Sequence, residues 1–123
     1  MDRRVVEAIA EAIGHYSGYA EPQSPLYKAR NPLGLKPMKP EHPFDEMGNR
    51  VFRSVLDGMQ AAIFDLEIKL GGRLSPESTL TDLALSYGRK PTEAIAWSRF
   101  LRAALDDQTI TAATQIRRFI EEQ

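Results

Sequence analysis

Six of the eight prolines, Pro22, Pro25, Pro32, Pro37, Pro40 and Pro43, crowd into one stretch near the N-terminal end of this 123-residue chain. Proline fixes φ and removes a backbone donor, so residues 20–50 are expected to form an irregular lobe rather than regular helix. So long an irregular stretch in a small domain is either functional or poorly ordered. Short extended pieces at 33–38 and 50–53 are expected to pair as a small β-hairpin. The polar turn 46–49, which contains Gly48 and Asn49, would join them.

On either side of the lobe the apolar residues recur at helical spacing. Val5, Ile9, Ala12, Ile13 and Tyr16 predict an amphipathic helix over 3–16, capped by Asp2 and stopped at Gly18. Arg3 and Glu7 fall one turn apart on its outer side. Ser54 and Asp57 open a second helix in the manner of a capping box, and Gly71-Gly72 close it. Its stripe is Val55, Met59, Ala62, Ile63, Leu66 and Leu70. Leu56, Phe64 and Ile68 widen that stripe, so this helix is expected to be the central one of the core. A shorter helix over 79–87 ends at Gly88. Another runs from Pro91 to about residue 106, lined by Ile95, Ser98, Leu101, Ala104 and Leu105, with Trp97 in the core. A last helix is expected to start near Thr111, with Ile116, Phe119 and Ile120 inward. The expectation is one mostly α domain (α+β) over 1–123, with about five helices and a small hairpin.

Composition excludes several classes. No cysteine is present, so there is no disulfide, thiolate metal site or cysteine nucleophile. Sixteen basic and 17 acidic residues give a net charge of −1, which argues against nucleic-acid binding through bulk charge. No apolar run approaches the ~20 residues of a membrane span. Glu7 and Glu11 interrupt the region after Met1-Asp2-Arg3-Arg4, so no secretory signal is expected and synthesis is expected to end in the cytoplasm.

Several strings occur in a telling order. The first helix ends Ala12-Ile13-Gly14-His15-Tyr16-Ser17-Gly18-Tyr19. Pro22-Gln23-Ser24-Pro25-Leu26 follows, then Arg30-Asn31-Pro32-Leu33-Gly34-Leu35-Lys36. Val51-Phe52 precedes Ser54-Val55-Leu56-Asp57-Gly58-Met59-Gln60-Ala61, and Ser78-Thr79-Leu80-Thr81-Asp82-Leu83 leads to Tyr87-Gly88. From residue 5 to about 105 this order resembles the lysozyme-like superfamily, in particular small phage and prophage muralytic proteins. There a first helix ends in E-G-Y, a loop carries N-N-P-G-N-L, and a hairpin precedes a long helix. The resemblance implies a lysozyme-like fold, a glycan or peptidoglycan strand as partner, and association with the virion or release at lysis.

The chain departs from that pattern where the chemistry sits. The family's general acid is the glutamate of E-G-Y, and Ser17 occupies its place. A serine hydroxyl has no proton to deliver near neutral pH, so it cannot protonate a glycosidic oxygen. N-P-G-N-L has become Asn31-Pro32-Leu33-Gly34-Leu35. The nearest substitute acid is Glu21; Glu11 falls on another face of the helix. Glu41, Asp45 and Glu46 are acids of the lobe, where solvated surface is the ordinary reading. His15 and His42 lack metal-ligand spacing, so no metal and no cofactor are expected. Lys28, Arg30, Lys36 and Lys39 form a basic loop. Tyr19 and Tyr27 flank the expected cleft and, with Arg30 and Asn31, are the expected glycan contacts.

Three functions follow. The first is a catalytically degenerate lysozyme-like domain that binds peptidoglycan or a related glycan. The second is an active glycoside hydrolase or lytic transglycosylase that uses Glu21. The third is a phage-encoded, non-enzymatic module that engages a host protein. The missing acid leans the expectation away from an enzyme.

Overall fold

The computed structural model describes residues 2–19 and 21–120; Met1, Ala20 and residues 121–123 lie outside the described residues. The chain is mostly helical. In order the helices are α1 (Arg3–Tyr16), α2 (Pro25–Ala29), α3 (Val55–Ile68), α4 (Leu80–Ser86), α5 (Glu93–Ala104) and α6 (Arg117–Ile120). None of them is long and apolar enough to cross a membrane.

The centre of the core is α1, not α3 as the apolar pattern suggested. It packs against both α3 and α5. Its buried residues Val6, Ala8, Ile9, Ala10, Ala12, Ile13 and Gly14 alternate small and branched, which lets two neighbours approach from different sides. Asp2 caps it through the Arg4 N–H, and Arg3 pairs with Glu7 at 3.6 Å in solvent. Trp97 of α5 is buried as expected, whereas Ile95 is exposed. On α3 only Gly58, Ala62, Ile63 and Leu66 are buried, and Val55, Leu56, Phe64 and Ile68 are exposed. The stripe was too wide for one interface, and α1 covers only one side of it.

The caps follow the sequence closely. Ser54 accepts from the Asp57 N–H, and Thr79 and Asp82 form a reciprocal capping box on α4. After α3 a π-turn over Lys69–Arg73 ends where Gly72 takes φ 146°. A clamp ties α3 to α4: the Tyr87 hydroxyl donates to Asp65 at 2.6 Å, and Lys69 Nζ lies 3.5 Å from that carboxylate and 4.3 Å over the tyrosine ring.

Three expectations are corrected. No strand forms among the described residues, where a hairpin between 33–38 and 50–53 was expected. Only the isolated bridge Phe44–Arg50 closes the turn around Gly48, with the Asp45 N–H donating to Asn49 O at 2.9 Å and the Val51 N–H to Pro43 O at 2.9 Å. Prolines 37, 40 and 43 remove the donors a regular ladder would need. Second, the proline-rich lobe does hold a short helix, α2. Ser24 caps it through the Tyr27 N–H, and Pro25 occupies the first turn, where its missing N–H costs nothing. Third, residues 111–116 are not helical. The Leu80 and Thr81 N–H groups, orphaned at the start of α4, donate to Thr114 O and Ala112 O at 3.1 Å, and the segment closes instead as a turn, with the Thr114 N–H donating to Thr111 O at 3.0 Å.

Gly58 is the point where the lobe meets the helical body. A Cβ there would stand 1.7 Å from the Arg30 carbonyl oxygen. Gly58→Ala is therefore expected to cost at least about 3 kcal/mol, because backbone rather than a movable side chain fills the space. Gly14→Ala, where Pro32 Cβ lies at 3.1 Å, should cost less, since helix propensity offsets part of the clash. Urea unfolding midpoints check the order; equal costs would refute it.

The Tyr87 clamp makes a second prediction. Burial, and then the bond to Asp65, push the phenol well above its ordinary value of 10.0. The unfolded chain thus ionises Tyr87 before the folded one does. The stabilisation is whole below pH 10 and lost as pH rises further. Denaturation at pH 7 and at pH values above 10 should show a less steep alkaline loss in Tyr87→Phe than in wild type.

Candidate functional site

The end of α1, the short helix α2 and the Asn31–Pro32 bend converge on one side of the lobe. Gly14 makes the convergence possible. Pro32 and the Tyr19 ring both pack where its side chain would be, and the Tyr19 N–H donates to Gly14 O at 3.0 Å. Gly18, at φ 86°, turns the chain out of the helix.

Ser17 is the C-cap of α1 and is partly buried. Its hydroxyl lies 3.0 Å from both Gly14 O and Pro32 O, so its one proton bonds backbone carbonyls on both sides of the bend. Ser24 adds a second tie, its hydroxyl donating to Gly18 O at 2.6 Å.

Tyr19, Tyr27 and Arg30 are brought together. Partial burial and then the neighbouring Tyr27 hold the Tyr19 phenol above its ordinary value, while Arg30 acts in the opposite direction. Tyr27 is about half exposed. Arg30 is exposed and sits in the left-handed conformation at φ 53°, ψ 44°, as the C-cap of α2. A side chain at such a position costs about 1 kcal/mol relative to glycine. The cluster therefore presents two phenol rings and a guanidinium. Such groups stack on sugar rings and pair with carboxylates.

Asn31, grouped with these residues from sequence, is not offered to a ligand. It is fully buried, and its amide is engaged three times at 2.9 Å: Nδ2 donates to Leu35 O and Arg50 O, and Oδ1 accepts from the Leu35 N–H. This side chain, with one direct backbone bond from the Arg50 N–H to Leu35 O at 2.8 Å, joins the two segments that a hairpin ladder was expected to join.

Glu21 is exposed, in a turn where its backbone bonds Gly18 and Ser24. Glu11 and Glu41 are exposed as well. Asp45 caps its own turn, accepting from the Met47 N–H at 2.9 Å and the Asn49 N–H at 3.0 Å. His42 Nδ1 accepts from the Met38 and Lys39 N–H groups, while His15 stacks edge-on against Tyr16, far along the sequence from His42. Among the described residues no group of three histidines or carboxylates gathers. Of the basic loop, Lys36 is engaged with Asn49 Oδ1 at 2.9 Å.

A groove of about 570 Å³ opens elsewhere in the lobe, between α2 and the Phe44–Asp45–Glu46–Met47 turn. Lys28 lines it, but Tyr19, Tyr27 and Arg30 do not. Phe44 and Met47 were missed in the sequence because they stand among prolines and glycine with neither helical nor alternating spacing.

Asn31→Ala should cost about 2–4 kcal/mol by leaving buried backbone groups unpaired. Tyr27→Ala should cost under about 1 kcal/mol, as an exposed ring does. Thermal or urea unfolding of both distinguishes the structural residue from the available one. Comparison with family models, curated proteins and solved structures finds no match to this chain.

Proposed function

We propose that this chain is a catalytically degenerate lysozyme-like domain that binds peptidoglycan or a related glycan without cleaving it. The observation that carries the reading is the state of Ser17. It stands at the end of α1, in the slot where the resemblance places a general acid, and its proton is held by the carbonyls of Gly14 and Pro32. The position serves the fold and has nothing to give a glycosidic oxygen. Beside it Tyr19, Tyr27 and Arg30 offer stacking surface and a cation, a set suited to holding a sugar strand with carboxylate substituents. In this reading the turn closed by the Phe44–Arg50 bridge takes the place of the family's hairpin.

Hydrolysis through Glu21 has less support. A general acid of this kind needs an apolar surround that keeps it protonated. Glu21 is exposed.

Sedimentation with purified cell walls tests the proposal. Wild type should pellet with the walls and leave their turbidity unchanged. Tyr19→Ala combined with Tyr27→Ala should weaken binding about tenfold or more, since stacking of each ring contributes on the order of 1 kcal/mol. Wall clearing that disappears in Glu21→Gln would favour the hydrolase instead. Failure to bind any glycan would end the reading.

A further inference from the structure

The face of α3 turned away from α1 is apolar and uncovered. Leu56 is 65% exposed, Phe64 67% and Ile68 41%. With Gln60, also exposed, they recur every four residues and so form one stripe along the helix. Arg53 stands exposed just before the helix, and Glu67 lies near its other end on the same side. Neither makes an ion pair among the described residues. The part of the stripe around Gln60 is self-complementary; Ile68 lies beyond it, since its symmetric counterpart, Phe52, is buried ahead of the helix. Leu56 and Phe64 lie four residues to either side of Gln60, and Arg53 and Glu67 seven residues to either side.

We propose that this face joins two copies of the chain, with their α3 helices antiparallel and the two-fold axis at Gln60. Every contact then occurs twice, as an isologous interface requires. Leu56 packs on Phe64 of the partner subunit, and Arg53 pairs with Glu67 of the partner subunit. At the axis the two Gln60 amides each donate and accept. Charge selects this arrangement over its competitors. A parallel pairing sets Glu67 against Glu67. A slip of one turn sets Asp57 against Glu67 in one direction and carries Glu67 past the partner's helix in the other. Like charges so placed are repulsive. At 1.5 Å per residue the helix is only about 21 Å long, so the interface is at the small end for specific association and the dimer depends on concentration. The proposal is independent of the glycan reading, since none of these residues belongs to the Tyr19–Tyr27–Arg30 cluster.

The chain has no cysteine, so Gln60→Cys introduces a single thiol. Mild oxidation should cross-link that variant to a dimer, and should leave Glu11→Cys, exposed on α1, monomeric. Sedimentation velocity over a range of concentrations should show a monomer–dimer equilibrium in wild type. Arg53→Glu and Glu67→Arg should each weaken it about tenfold, and the double variant should restore it. Circular dichroism confirms that each variant is folded. A wild type that is monomeric at every concentration, cross-linking no faster at Gln60→Cys than at Glu11→Cys, or a double variant that fails to recover would each overturn the proposal.

Discussion

The lobe and the helical body are held together at a place where backbone touches backbone. The Arg30 carbonyl sits directly on α3 at Gly58, in space that any Cβ would fill. That seat sets the position of Arg30, and Arg30 in turn sets the bend into Asn31. A contact of this kind has no rotamers to adjust, so it fixes distance more tightly than side-chain packing does. The left-handed Arg30, the buried Asn31 and the orientation of α2 all depend on it.

Asn31 continues the same logic. A lobe with a proline every few residues lacks the donors for a ladder, yet its buried carbonyls still need partners. One amide supplies two donors and an acceptor to Leu35 and Arg50. The Ser17 hydroxyl does the same at the other edge of the bend. Polar side chains thus take over work that backbone pairing does elsewhere, and the residues so used are unavailable to a ligand. What remains for recognition is the partly exposed Tyr19, the exposed Tyr27, and Arg30, whose guanidinium also donates from Nη1 to Phe52 O at 3.5 Å.

Much of the helical frame was legible because its signals are local. Asp2 and Ser54 each cap the helix expected of them, Thr79, expected as the first residue of its helix, is its cap, and Gly18, Gly72 and Gly88 take the positive φ that ends one. Ser24 followed by Pro25 is an equally local start signal, outweighed in reading by the prolines around it. Residues 111–116 illustrate the opposite case. Their helical pattern is real, but the unpaired N–H groups of α4 bind the carbonyls that a helix would have used.

By itself the sequence determined the extents of α1 and α3 and the existence of α4 and α5, that no thiol chemistry is present, and that Ser17 carries no acid. These depend on residue identity and on spacing within one turn. The tertiary structure alone decided which apolar stripe is buried, which of two neighbours, Arg30 and Asn31, faces outward, and which bonds replace the expected hairpin. The physical reason is that burial and hydrogen-bond satisfaction depend on what arrives from elsewhere in the chain. An apolar stripe on α3 reads the same whether α1 covers it or not, and an asparagine reads the same whether its amide meets water or three backbone groups.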